Sequence, residues 1–116
     1  MDANSKDGKE VGLVELRRGV LVLAVLSRLR QRQYGYSLRQ ALADGGMPIE
    51  EGTLYPLLRR LESQGLLASE WDTGTAPPRR YYRLSSEGVR VFEELAEAWR
   101  AQAEVINRFL AEEAEP

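Results

Sequence analysis

The 116-residue chain contains no cysteine and no histidine. The first absence excludes a disulfide framework, a thiol nucleophile and a thiolate metal site. The second removes the commonest general base and the commonest transition-metal ligand. Catalysis would have to rest on carboxylates and hydroxyls, and no spacing gathers these into a pocket. An enzyme is therefore not expected, nor is a metal or other cofactor. No uninterrupted apolar run approaches the roughly 20 residues of a membrane span, and the polar start, residues 1–9, is not a signal peptide. These features point to a soluble cytoplasmic protein with no membrane partner. A chain of this length forms one domain and buries about two thirds of its unfolded surface, a modest core that invites a partner chain.

The net charge of −2 is a balance of unlike regions. Residues 1–10 sum to −1. Residues 11–86 carry eleven arginines against seven acids, and residues 87–116 carry three arginines against eight glutamates. A basic body is thus joined to an acidic C-terminal segment. Such a body can grip phosphates whatever the overall sign.

Residues 1–9 are polar and read as a disordered segment. From about residue 11 to residue 30 the pattern is helical, yet Leu13, Leu16, Val20, Leu23, Leu26 and their neighbours cover most of the circumference. A helix that is apolar nearly all round needs cover from two directions. In so small a domain the second cover is another subunit. Tyr34-Gly35-Tyr36-Ser37 reads as a break with Gly35 as its turn residue. A short helix follows over residues 37–43, stopped by Asp44-Gly45-Gly46. Glu51-Gly52-Thr53-Leu54-Tyr55-Pro56-Leu57-Leu58-Arg59-Arg60-Leu61-Glu62 forms the next helix, ended at Gly65. At about 100° per residue, Leu54, Leu57, Leu58 and Leu61 share one third of its circumference. Gly52, Pro56, Arg59 and Ser63 point the other way, flanked by Thr53, Tyr55 and Arg60. Pro56 loses a backbone hydrogen bond and should kink this helix slightly.

Residues 67–71 and 79–84 read as strands around the turn-rich tip Asp72-Thr73-Gly74-Thr75-Ala76-Pro77-Pro78. Alternation puts Arg80, Tyr82 and Leu84 on one face of the second strand, and Arg79, Tyr81 and Arg83 on the other. Trp71 reads as an anchor of the hairpin. Two helices and a hairpin with an arginine pair near its tip make a winged helix. Ser85 is a suitable N-cap for a last helix. Its apolar positions Val89, Phe92, Leu95, Trp99, Ala103, Ile106 and Phe109 alternate threes and fours, the seam of a helix packed along another helix. The expected fold is mainly α with a small β-hairpin: a winged helix-turn-helix plus a long C-terminal dimerisation helix. Its divisions are a disordered segment over 1–9, a DNA-binding domain over 10–84 and a dimerisation helix over 85–113.

Three motifs in order, Tyr34-Gly35-Tyr36, the segment Glu51–Glu62 with Gly65-Leu66-Leu67, and Arg79-Arg80-Tyr81-Tyr82-Arg83-Leu84-Ser85-Ser86-Glu87-Gly88, carry a resemblance to the PadR family of bacterial transcriptional regulators. It covers roughly residues 13–110. The short single C-terminal helix is similar to the compact branch that includes multidrug-sensing repressors. The resemblance implies a homodimer built from the first and last helices, bound to double-stranded DNA at a palindromic operator. It further implies that Trp99, near the middle of the last helix, lines a dimer-centre pocket and stacks on a planar aromatic effector, with Leu13, Val20, Leu95 and Ala103 beside it. The best-known multidrug-sensing member has an acidic residue one turn beyond that tryptophan. Here the position is Ala103, with Glu104 rotated away, so a preference for cations is not carried over. For Trp99, plain packing in the dimer core is the competing reading.

In a repressor of this kind Thr53, Tyr55 and Arg59 would face base edges or nearby phosphates. Tyr36 and Ser37 would contact the backbone at the start of the second helix, and Arg60, Arg79 and Arg80 would meet phosphates. The competing class is a winged-helix module that binds protein and not DNA. It calls for an acidic or apolar recognition face, whereas this one bears Arg59 and Arg60. A winged-helix regulator with metal input is disfavoured by the absent histidine and cysteine.

Overall fold

The computed structural model describes residues 2–115, with side chains from residue 8 onward. The elements in chain order are α1 (Asp2–Arg28), β1 (Gln33–Tyr34), α2 (Gly35–Asp44), α3 (Glu51–Ser63), β2 (Leu67–Asp72), β3 (Arg79–Leu84) and α4 (Ser86–Ala111). The chain is mainly helical, with a small antiparallel sheet of order β1-β3-β2. Helix α1 extends back through residues 2–9, which their polarity assigns to a disordered segment. No proline interrupts this stretch, and each residue added to an existing helix closes another hydrogen bond.

One core holds the head together. Val25, Leu26 and Leu29 of α1, Leu38 and Leu42 of α2, and Leu54, Leu57, Leu58 and Leu61 of α3 meet Leu67, Tyr82 and Leu84 of the sheet. The leucine stripe of α3 is wholly buried, as its spacing predicts, and the helix is continuous through Pro56. Helices α2 and α3 end alike. Gly46 and Gly65 take positive φ, and the residues after them, Met47 and Leu66, donate back to the carbonyls of Leu42 and Leu61. Both are Schellman stops, in which glycine avoids the cost of a left-handed backbone.

The wing register pairs Leu67 with Leu84 and Asp72 with Arg79. The strand β1 is absent from the sequence expectations. At two residues it carries no periodicity, and it exists only because β3 offers it a free edge at Tyr81 and Tyr82. Ser85 caps α4 as expected, its Oγ accepting from the Gly88 amide at 2.9 Å and donating to the Gly65 carbonyl at 2.6 Å.

Two expectations are corrected. Gly35 is not a turn residue but the first residue of α2, and Tyr36 is already helical. Trp71 does not anchor the hairpin from within: it is 61% exposed. It lies toward the free end of the hairpin, opposite Arg80, whose guanidinium stands 5.8 Å from its ring.

The radius of gyration is 17.5 Å and the molecule measures 65 × 35 × 24 Å. A compact chain of this length would have a radius near 13 Å. The excess comes from the N-terminal part of α1 and the C-terminal part of α4, whose Val11, Val14, Leu16, Ile106, Phe109 and Leu110 lie exposed.

Candidate nucleic-acid interface

The exposed side of α3 is formed by Gly52, Thr53, Pro56, Arg59, Arg60 and Ser63. Burying four leucines behind the helix fixes its roll, so this face is presented by the core and not by side-chain chance. Arg59 and Arg60 have no ion-pair partner among the described residues. A helix with a small front, two free guanidiniums and no exposed leucine suits a DNA major groove.

Tyr55 behaves differently from its neighbours. It is half-buried against the core, and its phenol lies over Gly35, where any Cβ would collide with the ring and hydroxyl. Tyr55 therefore sets the spacing between α2 and α3. Ser37 is likewise occupied: its Oγ accepts from the Tyr34 amide at 3.1 Å and donates to the Tyr34 carbonyl at 2.9 Å, closing the first turn of α2.

Tyr36 and Arg79, assigned to different elements by sequence, are brought to one surface by Tyr34. Tyr36, which is 62% exposed, stacks on Tyr34 with ring centres 6.5 Å apart. The Arg79 guanidinium sits 4.3 Å from the centre of the Tyr34 ring. Tyr81 meets Tyr34 edge-on at 5.4 Å, and Arg32 lies 3.8 Å over Tyr81. The result is a cationic, aromatic shelf joining the start of α2 to the wing. The neighbouring Tyr81 phenol, followed by that of Tyr34, raises the Arg79 pKa further above a value at which an arginine is always charged. Arg32 and Tyr34 have no place in the expected contact set. Only the pairing of β1 with β3 places them there, and nothing in the local sequence announces that pairing.

Arg80 points to the other side of β3. Its Nη2 donates to Glu62 Oε1 at 3.0 Å and its Nε to Ser69 Oγ at 3.1 Å, while Ser69 Oγ donates to Glu62 Oε2 at 2.5 Å. This closed triangle ties the wing to the last turn of α3 and occupies the guanidinium. Tyr82 lies beneath it. Burial pushes the Tyr82 phenol above its ordinary range, with Arg80 pulling partly back. Arg39 forms a second brace, donating to the Ile49 carbonyl at 3.2 Å and pairing with Glu51 at 3.2 Å across the α2–α3 loop. That brace also went unread in the sequence, since twelve residues separate its partners.

Between α1 and α4, Val20, Leu95 and Trp99 line a cleft of about 370 Å³ together with Gly19, Leu23 and Gln102. Leu13 and Ala103, expected beside them, are half-buried on the same helices but outside its lining. Gly19, Leu23 and Gln102 stand one, three and three positions from Val20 and Trp99, so helical spacing could have found the last two. Trp99 is 48% exposed. Among the described residues no helix is long and apolar enough to cross a membrane, and no acidic cluster could hold a metal.

Residues 22–94 match the model of the transcriptional regulator PadR-like family. The crystal structure of a PadR family transcriptional regulator from Eggerthella lenta is similar with a TM-score of 0.86 and 50% identity, over 96% of this chain and 99% of that one. A PadR-like transcriptional regulator from Bacillus cereus superposes with a TM-score of 0.77 at 28% identity, over 85% of this chain and 99% of its own. A transcriptional regulator of Mycobacterium tuberculosis is 37% identical over 90 residues, which is 71% of this chain and 84% of the relative.

Proposed function

This chain belongs to the PadR-like family of transcriptional regulators, and on that premise we propose that it is a homodimeric, ligand-responsive repressor of a palindromic operator. The family is one of regulators and not of enzymes, and membership implies DNA binding. The carrying observation is the division of α3, with four buried leucines behind and Thr53, Arg59 and Arg60 free in front. In this reading residues 10–84 grip DNA and residues 85–113 hold two copies together. Thr53 and Arg59 read bases, Arg60, Arg79 and Tyr36 meet the backbone, and Tyr55, Ser37 and Arg80 fix the geometry of the surface. Arg59 has the reach and fork geometry to read guanine, which is worth about 1–3 kcal/mol of discrimination.

A planar aromatic effector would enter beside Trp99, whose partial exposure in the lining of the cleft supports the reading. It would act by favouring a dimer whose recognition helices are no longer one DNA turn, about 34–36 Å, apart. The test is fluorescence anisotropy with duplex from the region upstream of the chain's own gene. Arg59→Ala should narrow the gap between operator and scrambled duplex by about tenfold or more; an unchanged gap removes Arg59 from base reading. Absence of duplex binding at low salt would favour a protein-interaction module. Planar aromatics should quench tryptophan fluorescence in the wild type and not in Trp99→Ala, and equal quenching in both would leave Trp99 as packing.

A further inference from the structure

Trp71 is a side chain that neither the core nor the proposed contacts use. It is 61% exposed although it stands in a paired strand, opposite Arg80. Among the described residues, the exposed large apolar side chains outside α1 and α4 are Tyr36 and Trp71. The arms thus expose mainly aliphatics, whereas the head exposes two aromatics that each carry a polar group. An indole joins a flat apolar face to one N–H donor, which suits a surface of alternating sugars and phosphates.

The strand fixes its direction. Alternation along β2 puts Leu67, Ser69 and Trp71 on one face. Leu67 is buried in the core and Ser69 hydrogen-bonds Glu62 near the end of α3, so Trp71 lies on the side of the wing that meets the recognition helix. The flanking acids Glu70 and Asp72 fall on the other face. Glu70 pairs there with Arg32 at 3.4 Å, and Asp72 Oδ1 accepts from the Gly74 amide at 2.9 Å. The Arg80 guanidinium stands 5.8 Å from the Trp71 ring and 5.5 Å from the Tyr82 ring, with its Nη2 and Nε engaged by Glu62 and Ser69. The charge beside Trp71 is thereby paired, and what this face offers a nucleic acid is an apolar plate. We infer that Trp71 is a DNA contact of the wing, its indole packed on deoxyribose and its Nε1–H donated to a phosphate oxygen. The inference rests on the DNA binding of the proposed function and adds a contact driven by burial, with Arg79 on the opposite face as its charged counterpart. Sugars are alike at every base pair, so Trp71 adds affinity without reading sequence.

Wild type, Trp71→Ala and Trp71→Phe are titrated by anisotropy with the upstream duplex and its scrambled form across a salt series. Trp71→Ala should weaken binding to both duplexes by about tenfold at every salt concentration, with the log–log slope and the gap between duplexes unchanged. Trp71→Phe keeps a flat apolar ring and should restore most of the loss, while all three proteins unfold at one midpoint. The chain has two tryptophans, so Trp99→Phe leaves Trp71 as the sole indole fluorophore. Bound duplex should shield it from acrylamide and lower its quenching constant. Trp71→Ala binding as tightly as wild type, or quenching unaltered in a complex that anisotropy shows to be formed, overturns this inference and leaves the proposed function standing. A weakening that comes with a flatter salt slope reassigns the effect to the Arg80 charge and overturns it as well. A wild-type chain that binds no duplex overturns both.

Discussion

The head and the arms of this molecule obey opposite rules. In the head, every leucine of α3 is buried, and apart from Glu51 at its start and Pro56 the exposed positions are small or cationic. Along the far halves of α1 and α4, Val11, Val14, Leu16, Ile106, Phe109 and Leu110 face water. The head satisfies the ordinary requirement of a folded domain. The arms contribute little to that core and present apolar surface of the kind that marks an interaction site. Stability of the protomer and assembly of the proposed dimer should therefore separate by region.

The sharpest break of that division compares two leucines. Leu58→Ala empties a fully buried site and should cost about 2–5 kcal/mol in denaturant unfolding. Leu110→Ser, at a site 76% exposed, should leave protomer stability unchanged and weaken only self-association. Equal losses of stability in both would mean that the arms belong to the folding unit. Gly35→Ala is expected to cost about 1–3 kcal/mol, because its Cβ meets the Tyr55 ring. Combining it with Tyr55→Ala should recover part of that loss in a double-mutant cycle, and simple additivity would dissociate the two residues.

Within the head, Arg79 and Arg80 sharpen the contrast between contact and scaffold. Arg79→Ala should lower the salt dependence of DNA binding by about 0.9 per protomer in log–log slope while leaving unfolding unaffected. Arg80→Ala should do the reverse, costing about 1 kcal/mol of stability through its partly exposed pair with Glu62. The smallest effect concerns pH. A phenol whose folded-state pKa is raised contributes its full share below the unfolded value near 10 and loses it as pH climbs through the folded value. Unfolding midpoints should fall above about pH 10, and Tyr82→Phe should flatten that fall.

What could be read from the sequence follows the range of the forces involved. The leucine stripe of α3, the glycine stops, the Ser85 cap and the alternation of β3 depend on neighbours within one or two turns, and all stand as expected. Strand β1, the Tyr34 shelf and the Arg80–Glu62–Ser69 triangle depend on pairings across the chain and left no local mark. Trp71 was misplaced because aromatic bulk suggests burial, while its position along the hairpin takes it out of the core's reach. Among the candidate DNA contacts, exposure could be read from the spacing along α3. Occupancy could not, since the triangle and the Ser37 cap bind side chains that look free on paper.

The triangle also bears on how the head moves. With Glu62 accepting from both Ser69 and Arg80, the wing is tied to α3 and the two form a single jaw. In the proposed dimer, two such jaws joined through their arms would work as callipers. Each base pair inserted between half-sites turns the second site by about 35°. For the proposed dimer, the spacing of the operator halves would therefore matter alongside their letters.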